Sequence, residues 1–525
     1  MKPGEVAKNI DDRFFKEGEA KKAKDGIEKI IEDFFEPKRL DTAAQDVTDF
    51  LREVWKRFSI GKYVDVFVDF AKAEKALYGF GERYRDHLMH VFNVHLMGLW
   101  VFSKLLKADE AKLFKVLKIR EEADVIPFPS KYNKPRRLYY LWSLISTFHD
   151  IAIPIDRRGD LVKGFGRYLD YFKIETEAAY LRFPFMTQLD IQRYSDLMSK
   201  LFASRVTLSM NHKQRTYEIE NNHTAPYLYL RSTLASAMNS YDHGVLGAYF
   251  LFRSIEEMFL SGKNPNPKYD LDLCSITRNN EIVELPPQKN EWNNLLNEFD
   301  NLGEEELGNA QRTYDLARGE TKTYNDYVFE QDVNRAALAI ALHNIDPDEN
   351  PKIFPLQFSD FPLTCLLILL DELQEFHRPE GLFLTEVVRC REFPSINVEM
   401  RSLEQKPRIQ VSAQFDLKRP PREMESKLVD EYEKWRTRNE HKASKKPVVR
   451  DYGNLVCFTW GYIFETIKKK ISSKPEDALE VQITVKLEGR DPCGEPLKYE
   501  SPNWSGSKSN RVDLDCGRNL LPFSP

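Results

Sequence analysis

Residues 141–154, LWSLISTFHDIAIP, constrain the chain more than any other stretch. An apolar run of helical character ends abruptly in the adjacent pair His149-Asp150, with Pro154 close behind to stop the helix. An imidazole and a carboxylate side by side at the end of a buried segment suit a metal ion better than an apolar core, because each is costly to bury unless something satisfies it. A fold that takes this pair inside has to bring other polar partners to it.

Composition narrows the field for those partners. At 525 residues the chain exceeds a typical single core and fits about three domains, or two with insertions. Hydrophobic residues at 42% and charged residues at 30% are the profile of a soluble globular protein. A net charge of -5 and a pI near 6.2 give no general attraction to nucleic acid or to an anionic membrane, which leaves only a local basic patch as a route to either. The six cysteines show no short CxxC spacing, so neither a zinc ribbon nor a disulfide framework is indicated, and they read as reduced thiols. The first residues are charged throughout, without the apolar centre of a signal peptide, and the apolar run 361–370 is too short to span a bilayer. A cytoplasmic protein with no membrane partner is expected.

Taken in order, residues 1–80 carry apolar residues at three- and four-residue intervals and predict a helical extension without chemistry of its own. Residues 81–106 predict a long helix on which His87 and His90 share one face while His95 points elsewhere. A Pro- and Lys/Arg-rich loop then leads to the helix that ends in His149-Asp150. Beyond the pair, Arg157, Arg158 and Lys163 lie near two glycines and, with Arg83 and Arg85, are the candidate contacts for phosphate oxygens. Small residues around Asp242-His243-Gly244 allow close packing at the start of an apolar helix, while His212 and His223 sit in polar surroundings without that signal. Residues 261–323 are polar and rich in Pro, Gly and Asn, as expected of an insertion covering a site. His343 ends an apolar helical face, and Asp371 closes a helix that is apolar all round and therefore buried. That aspartate is either the first surface residue or a carboxylate turned inward. From about residue 381 the hydrophobic period shifts towards two, and strands alternate with two helices in a small α+β domain.

Ten histidines are present, and four of them fall at buried helix positions beside two carboxylates, in the order His90, His149-Asp150, His243, His343, Asp371. This H…HD…H…H…D order resembles the HD-domain superfamily of metal-dependent phosphohydrolases over roughly residues 81–380. HVFNVHLMG from His90 looks like the superfamily's first helix, FHDIA contains its dyad, and LLLDELQEF looks like its last helix. The resemblance implies an HD-type helical metal-binding core over 81–380; with the N-terminal helical extension over 1–80 and the C-terminal α+β domain over 381–525 read from periodicity, the expected architecture is mainly α. It further implies that His90, His149, Asp150 and Asp371 bind one metal and that His243 and His343 bind a second, with Asp150 bridging. The lysine that follows the dyad in many members is missing here, where the sequence runs IAIP.

Imidazole and carboxylate ligands suit one or two divalent ions such as Mn, Fe, Co, Ni, Zn or Mg, and the absence of cysteine from the set argues against a structural zinc. One such ion, or two about 3.5 to 4 Å apart, would acidify a water for attack on phosphorus, with Asp150 as the catalytic residue that orients it. The expected activity is therefore hydrolysis of a phosphoester, a nucleotide or a related phosphorylated small molecule. Two other readings stay open at this stage: a di-iron oxygenase on a related helical site, and a non-catalytic module that senses a nucleotide or scaffolds partners. Asp86 and Asp242 precede possible ligands and are candidates to accept their imidazole N–H groups, but adjacent side chains on a helix diverge, so the surface reading is preferred for both. The terminal additions are expected to select substrate, form a homo-oligomer or bind a partner protein.

Overall fold

The computed structural model describes residues 3–15, 18–35, 45–52, 87–117, 119, 134–153, 208–211, 216–219, 234, 237, 242–260, 275–278, 281–284, 324–374, 394–403, 406–417, 421–438, 451–472, 479–487 and 497–500. These residues are mainly helical. In chain order the helices used below are α1 (Pro3–Asn9), α2 (Ala20–Phe35), α3 (His87–Val116), α4 (Lys134–Phe148), α5 (His243–Leu260), α6 (Tyr324–His343), α7 (Pro362–Leu373), α8 (Arg422–Arg438) and α9 (Tyr452–Lys470). The strands are β1 (Leu208–Asn211), β2 (Thr216–Ile219), β3 (Ser275–Arg278), β4 (Glu281–Glu284), β5 (Ser395–Leu403), β6 (Lys406–Leu417), β7 (Leu479–Leu487) and β8 (Leu497–Glu500).

Helices α3, α4, α5, α6 and α7 pack on one another and form the centre of the molecule. Helix α3 is long, but its backbone breaks at Asp109 (φ -165°, ψ 98°). The Asp109 carboxylate accepts the Lys112 N–H at 3.0 Å, so it restarts the helix as an N-cap would. Helices α3 and α4 touch at Gly98, where a Cβ would lie 2.0 Å from the Trp142 indole. Only glycine permits that approach, and the Trp142 N–H donates to the His95 carbonyl at 3.1 Å beside it. Helix α7 opens with Pro362, whose missing N–H is harmless in a first turn, and its residues Leu363–Leu370 are buried on every side. The apolar-all-round pattern of the sequence reads out directly in this burial.

The C-terminal strands form one sheet in the order β5-β6-β7-β8. β5 and β6 are antiparallel, β6 and β7 parallel, and β7 and β8 antiparallel. The parallel pair requires a crossover, and α8 and α9 supply it. Alternation places Ile396, Val398, Ile409, Val411, Ala413, Phe415, Val481, Ile483 and Val485 on the buried face, while Asn397, Glu399, Arg401 and Lys486 lie on the other. Trp460 of α9 packs on Phe415 with ring centroids 4.6 Å apart. α9 also rests on α7, and α3 on β5, so the sheet residues belong to the same contiguous apolar core as the central helices and as Val6, Ile27 and Ile30 of the N-terminal helices.

Two short antiparallel hairpins, β1–β2 and β3–β4, were not foreseen from the sequence; the second falls inside the polar stretch 261–323. Four-residue strands carry too little alternation to be told from loop. The rest of that stretch, and the region following Ile153 up to β1, lie outside the described residues. Among the described residues no helix is long and apolar enough to cross a membrane.

Candidate metal centre

Helix ends create the site. The last turn of α4 runs on through the His149 N–H, which donates to the Ile145 carbonyl at 3.2 Å, and the following turn holds Asp150. His90 comes from the first turn of α3, His243 is the first residue of α5, His343 the last of α6, and Asp371 lies near the end of α7. All six residues singled out by the sequence pattern are brought together. Asp371 is the inward-turned carboxylate, not a surface residue, with Oδ1 2.9 Å from His90 Nε2.

Asp150 sits between two halves of the cluster and uses a different oxygen for each. Its Oδ2 lies 3.0 Å from His90 Nε2 and 3.6 Å from His149 Nε2. Its Oδ1 lies 3.4 Å from His243 Nε2 and 3.7 Å from His343 Nε2. Donor atoms of His90, His149 and Asp150 all fall within 4.8 Å of one another, and so do those of Asp150, His243 and His343. The two imidazole nitrogens of His90 and His149 are 3.0 Å apart.

Neighbouring carbonyls fix which nitrogen faces inward. His149 Nδ1 donates to the Ser146 carbonyl at 2.8 Å, and His343 Nδ1 donates to the Ile340 carbonyl at 2.6 Å. Each ring therefore presents Nε2 as a bare lone pair to the centre, the tautomer a metal ligand needs. Burial pushes the His149 ring down to about 4, so it is neutral at physiological pH. Burial works to raise the carboxyls, but at Asp150 the imidazoles of His149, His90 and His343 outweigh it, and at Asp371 the hydrogen bond and charge of His90 do so. Both are held well below the usual carboxylate range.

The donor set fits a divalent cation. Four imidazoles and two carboxylates, with no thiolate, are borderline-to-hard ligands. His90 Nε2 can offer at most one proton, yet one nitrogen and two oxygens crowd within 3.0 Å of it. Asp150 Oδ2 is buried and, among the described residues, has only the contested His90 Nε2 at 3.0 Å to turn to. Lone pairs converging in a dry interior repel one another unless positive charge lies among them.

Glycines make the second half possible. A Cβ on Gly247 would lie 2.3 Å from the Phe148 carbonyl oxygen, and one on Gly244 would lie 2.8 Å from the Ile340 carbonyl oxygen and 3.0 Å from His343 Nδ1. Helix α5 thus presses its first turn directly onto the ends of α4 and α6. Asp242 is not the surface residue expected from its position. Its Oδ1 accepts the Val245 N–H at 3.0 Å, capping α5, and its Oδ2 accepts the Asn344 amide at 2.6 Å. An aspartate just before an apolar helix is a legible N-cap signal, but the partner 102 residues away is not.

His95 points away from the cluster, as the helical spacing predicts. Its Nδ1 lies 3.0 Å from Ser146 Oγ, whose own hydrogen is directed to the Trp142 carbonyl at 2.8 Å, so the imidazole is the donor. This pair anchors Ser146, the residue whose carbonyl orients His149. Arg83, Arg85, Arg157, Arg158 and Lys163, like Asp86, His212 and His223, lie outside the described residues. Comparison of the chain with protein-family models, curated proteins and solved structures returns no match.

Proposed function

We propose that the chain is a metal-dependent phosphohydrolase or phosphodiesterase with an HD-type centre, acting on a phosphoester of the nucleotide class. The observation that carries this reading is the division of labour at Asp150, one oxygen toward His90 and His149 and the other toward His243 and His343. It is supported by the order of the six residues along the chain and by their origin at five different helices, with His149 and Asp150 together at the end of α4. His90, His149, Asp150 and Asp371 would hold one ion, and Asp150, His243 and His343 a second. The chemistry such ions would supply there is a more acidic water and positive charge facing the phosphoryl oxygens.

The protein's own contribution is positional. The carbonyls of Ser146 and Ile340 hold two imidazoles in the ligating tautomer before anything binds, which removes reorganisation from the binding step. His243 and Asp371, with side chains 14% and 17% exposed against 0 to 4% for the others, form the open edge of the cluster. Substrate approaches over that edge, and the helix ends behind it keep bulk water out.

Metal analysis of the purified chain, joined to a phosphatase and phosphodiesterase screen over mono-, di-, cyclic and oligonucleotides, tests the reading. The wild type is expected to hold divalent metal and release phosphate or nucleotide, and Asp150→Ala to lose both by at least about 100-fold, since a bridging ligand weighs more than the outer partners whose loss costs 10- to 100-fold. A wild type that holds no metal and hydrolyses nothing would sink it. Bound iron with oxygen consumption and no phosphate release would turn the reading towards an oxygenase.

A further inference from the structure

We infer that Asp242 and Asn344 are positioning residues for the second half of the centre: a single side-chain hydrogen bond between them sets the distance between His243 and His343. The inference rests on the metal-centre reading above and assigns a role to two residues that the ligand pattern does not contain.

Each residue is the immediate neighbour of a ligand. Asp242 precedes His243 at the N-terminus of α5, and Asn344 follows His343 at the C-terminus of α6. The bond joining them, Asn344 Nδ2 to Asp242 Oδ2 at 2.6 Å, is partly buried and short, as expected when the acceptor carries charge. The other Asp242 oxygen is committed to the Val245 N–H, so the carboxylate cannot rotate away without uncapping α5. Its charge also lies where the helix dipole favours an anion. On the opposite side Lys470 Nζ donates to the His343 carbonyl at 2.8 Å, where the dipole of α6 favours a cation.

Between these contacts the two turns interlock. Gly244 lies so close to His343 that a Cβ would meet the ring at 3.0 Å, and the same ring is tied through Nδ1 to the Ile340 carbonyl. The rings of His243 and His343 stand 5.4 Å apart, both with Nε2 toward Asp150 Oδ1. In contrast, His149 and Asp150 follow one another in the chain and are held by the backbone of one turn. The second half has no such covalent link, because its two histidines are 100 residues apart in sequence. The Asp242–Asn344 bond stands in for it.

The chemistry allows a swap that separates positioning from general support of the fold. Asp242→Asn keeps an amide oxygen for the Val245 N–H, so α5 stays capped, but turns an NH₂ group toward the Asn344 NH₂. Asn344→Asp sets two carboxylates against each other. The double variant Asp242→Asn/Asn344→Asp restores one donor facing one acceptor. Asn344→Ala removes the bond and leaves the cap untouched.

The experiment is titration of the metal-free full chain with Co²⁺, following d–d absorbance per equivalent, with equilibrium dialysis against Mn²⁺ as a second readout. The wild type is expected to take up two equivalents. Asp242→Asn, Asn344→Asp and Asn344→Ala are each expected to weaken the second equivalent by about 10- to 100-fold while leaving the first within about threefold, and the double swap to recover most of the loss. Single variants that bind the second equivalent as the wild type does overturn the inference. So does a folded double swap, judged by circular dichroism, that remains as weak as the single variants. A wild type that takes up fewer than two equivalents of either metal overturns the two-metal reading itself, a failure distinct from the previous two.

Discussion

His95 shows how a buried residue outside the His/Asp cluster leaves a measurable trace. Burial holds its imidazole down at about 3, against 6.5 in an open chain. Between those values the unfolded chain takes up a proton that the folded chain refuses, so folding stability falls as the pH falls, by about 1.4 kcal/mol per pH unit for one such group. Above pH 6.5 no loss is felt. Replacing His95 by Leu is expected to make the unfolding free energy, from denaturant titrations at pH 6.5, 5.5 and 4.5, less pH-dependent by about that slope. Ser146 keeps its bond to the Trp142 carbonyl, so no buried hydroxyl is orphaned by the change. Asp150 and Asp371, held below the usual carboxylate value of 3.8, act at lower pH, and His149, held down to about 4 by burial, adds the same slope to wild type and variant, so the difference between the two isolates His95. An unchanged slope would mean that His95 is open to water in solution.

At the scale of elements, the close approach of α5 to α4 is what brings His243 within reach of Asp150. Gly247→Ala places a methyl carbon 2.3 Å from the Phe148 carbonyl oxygen, a backbone atom that cannot swing aside. The substitution is expected to displace α5, cost about 1 to 3 kcal/mol of stability by overpacking, and weaken the second metal equivalent more than the first. Calorimetric unfolding with the Co²⁺ titration checks both halves, and a variant as stable and as competent as the wild type would refute the packing argument. Much of this level was legible in the sequence. His149-Asp150, His243 and His343 fall at ends of strongly periodic segments, and Asp371 follows a run of leucines, so their helices and their order could be read. Strands β5, β6 and β7 of the C-terminal sheet were equally plain, because Ile396, Val398, Ile409 and Val411 alternate with polar residues, whereas the four residues of β8, LKYE, were not read as a strand. What could not be read are contacts made across long separations, such as Asn344 with Asp242, and strands of four residues such as LSMN and EIVE, too short to display a period.

The whole molecule is tied together at the same place. Beyond the Lys470 bond to the His343 carbonyl, Lys469 pairs with Asp348 at 2.6 Å. The Leu356 N–H donates to the Lys470 carbonyl at 2.9 Å, and the Ser472 N–H to the Leu356 carbonyl at 2.8 Å. Lys470→Met keeps the backbone links and removes the ammonium. It is expected to lower stability by about 1 to 2 kcal/mol, the range for a charged donor that is partly exposed. Denaturant midpoints decide this, and no shift would show the bond to be incidental. The sequence marks a change of period near residue 381, and a molecular biologist seeking the smallest fragment that holds the whole His/Asp cluster would place a stop codon there. The end of α9 shows why that fragment should fail. It would carry every residue of the His/Asp cluster, yet it would lose the cation at the tail of α6 and bare the apolar flanks of α3 and α7. Expressed alone, it should gather in the insoluble fraction.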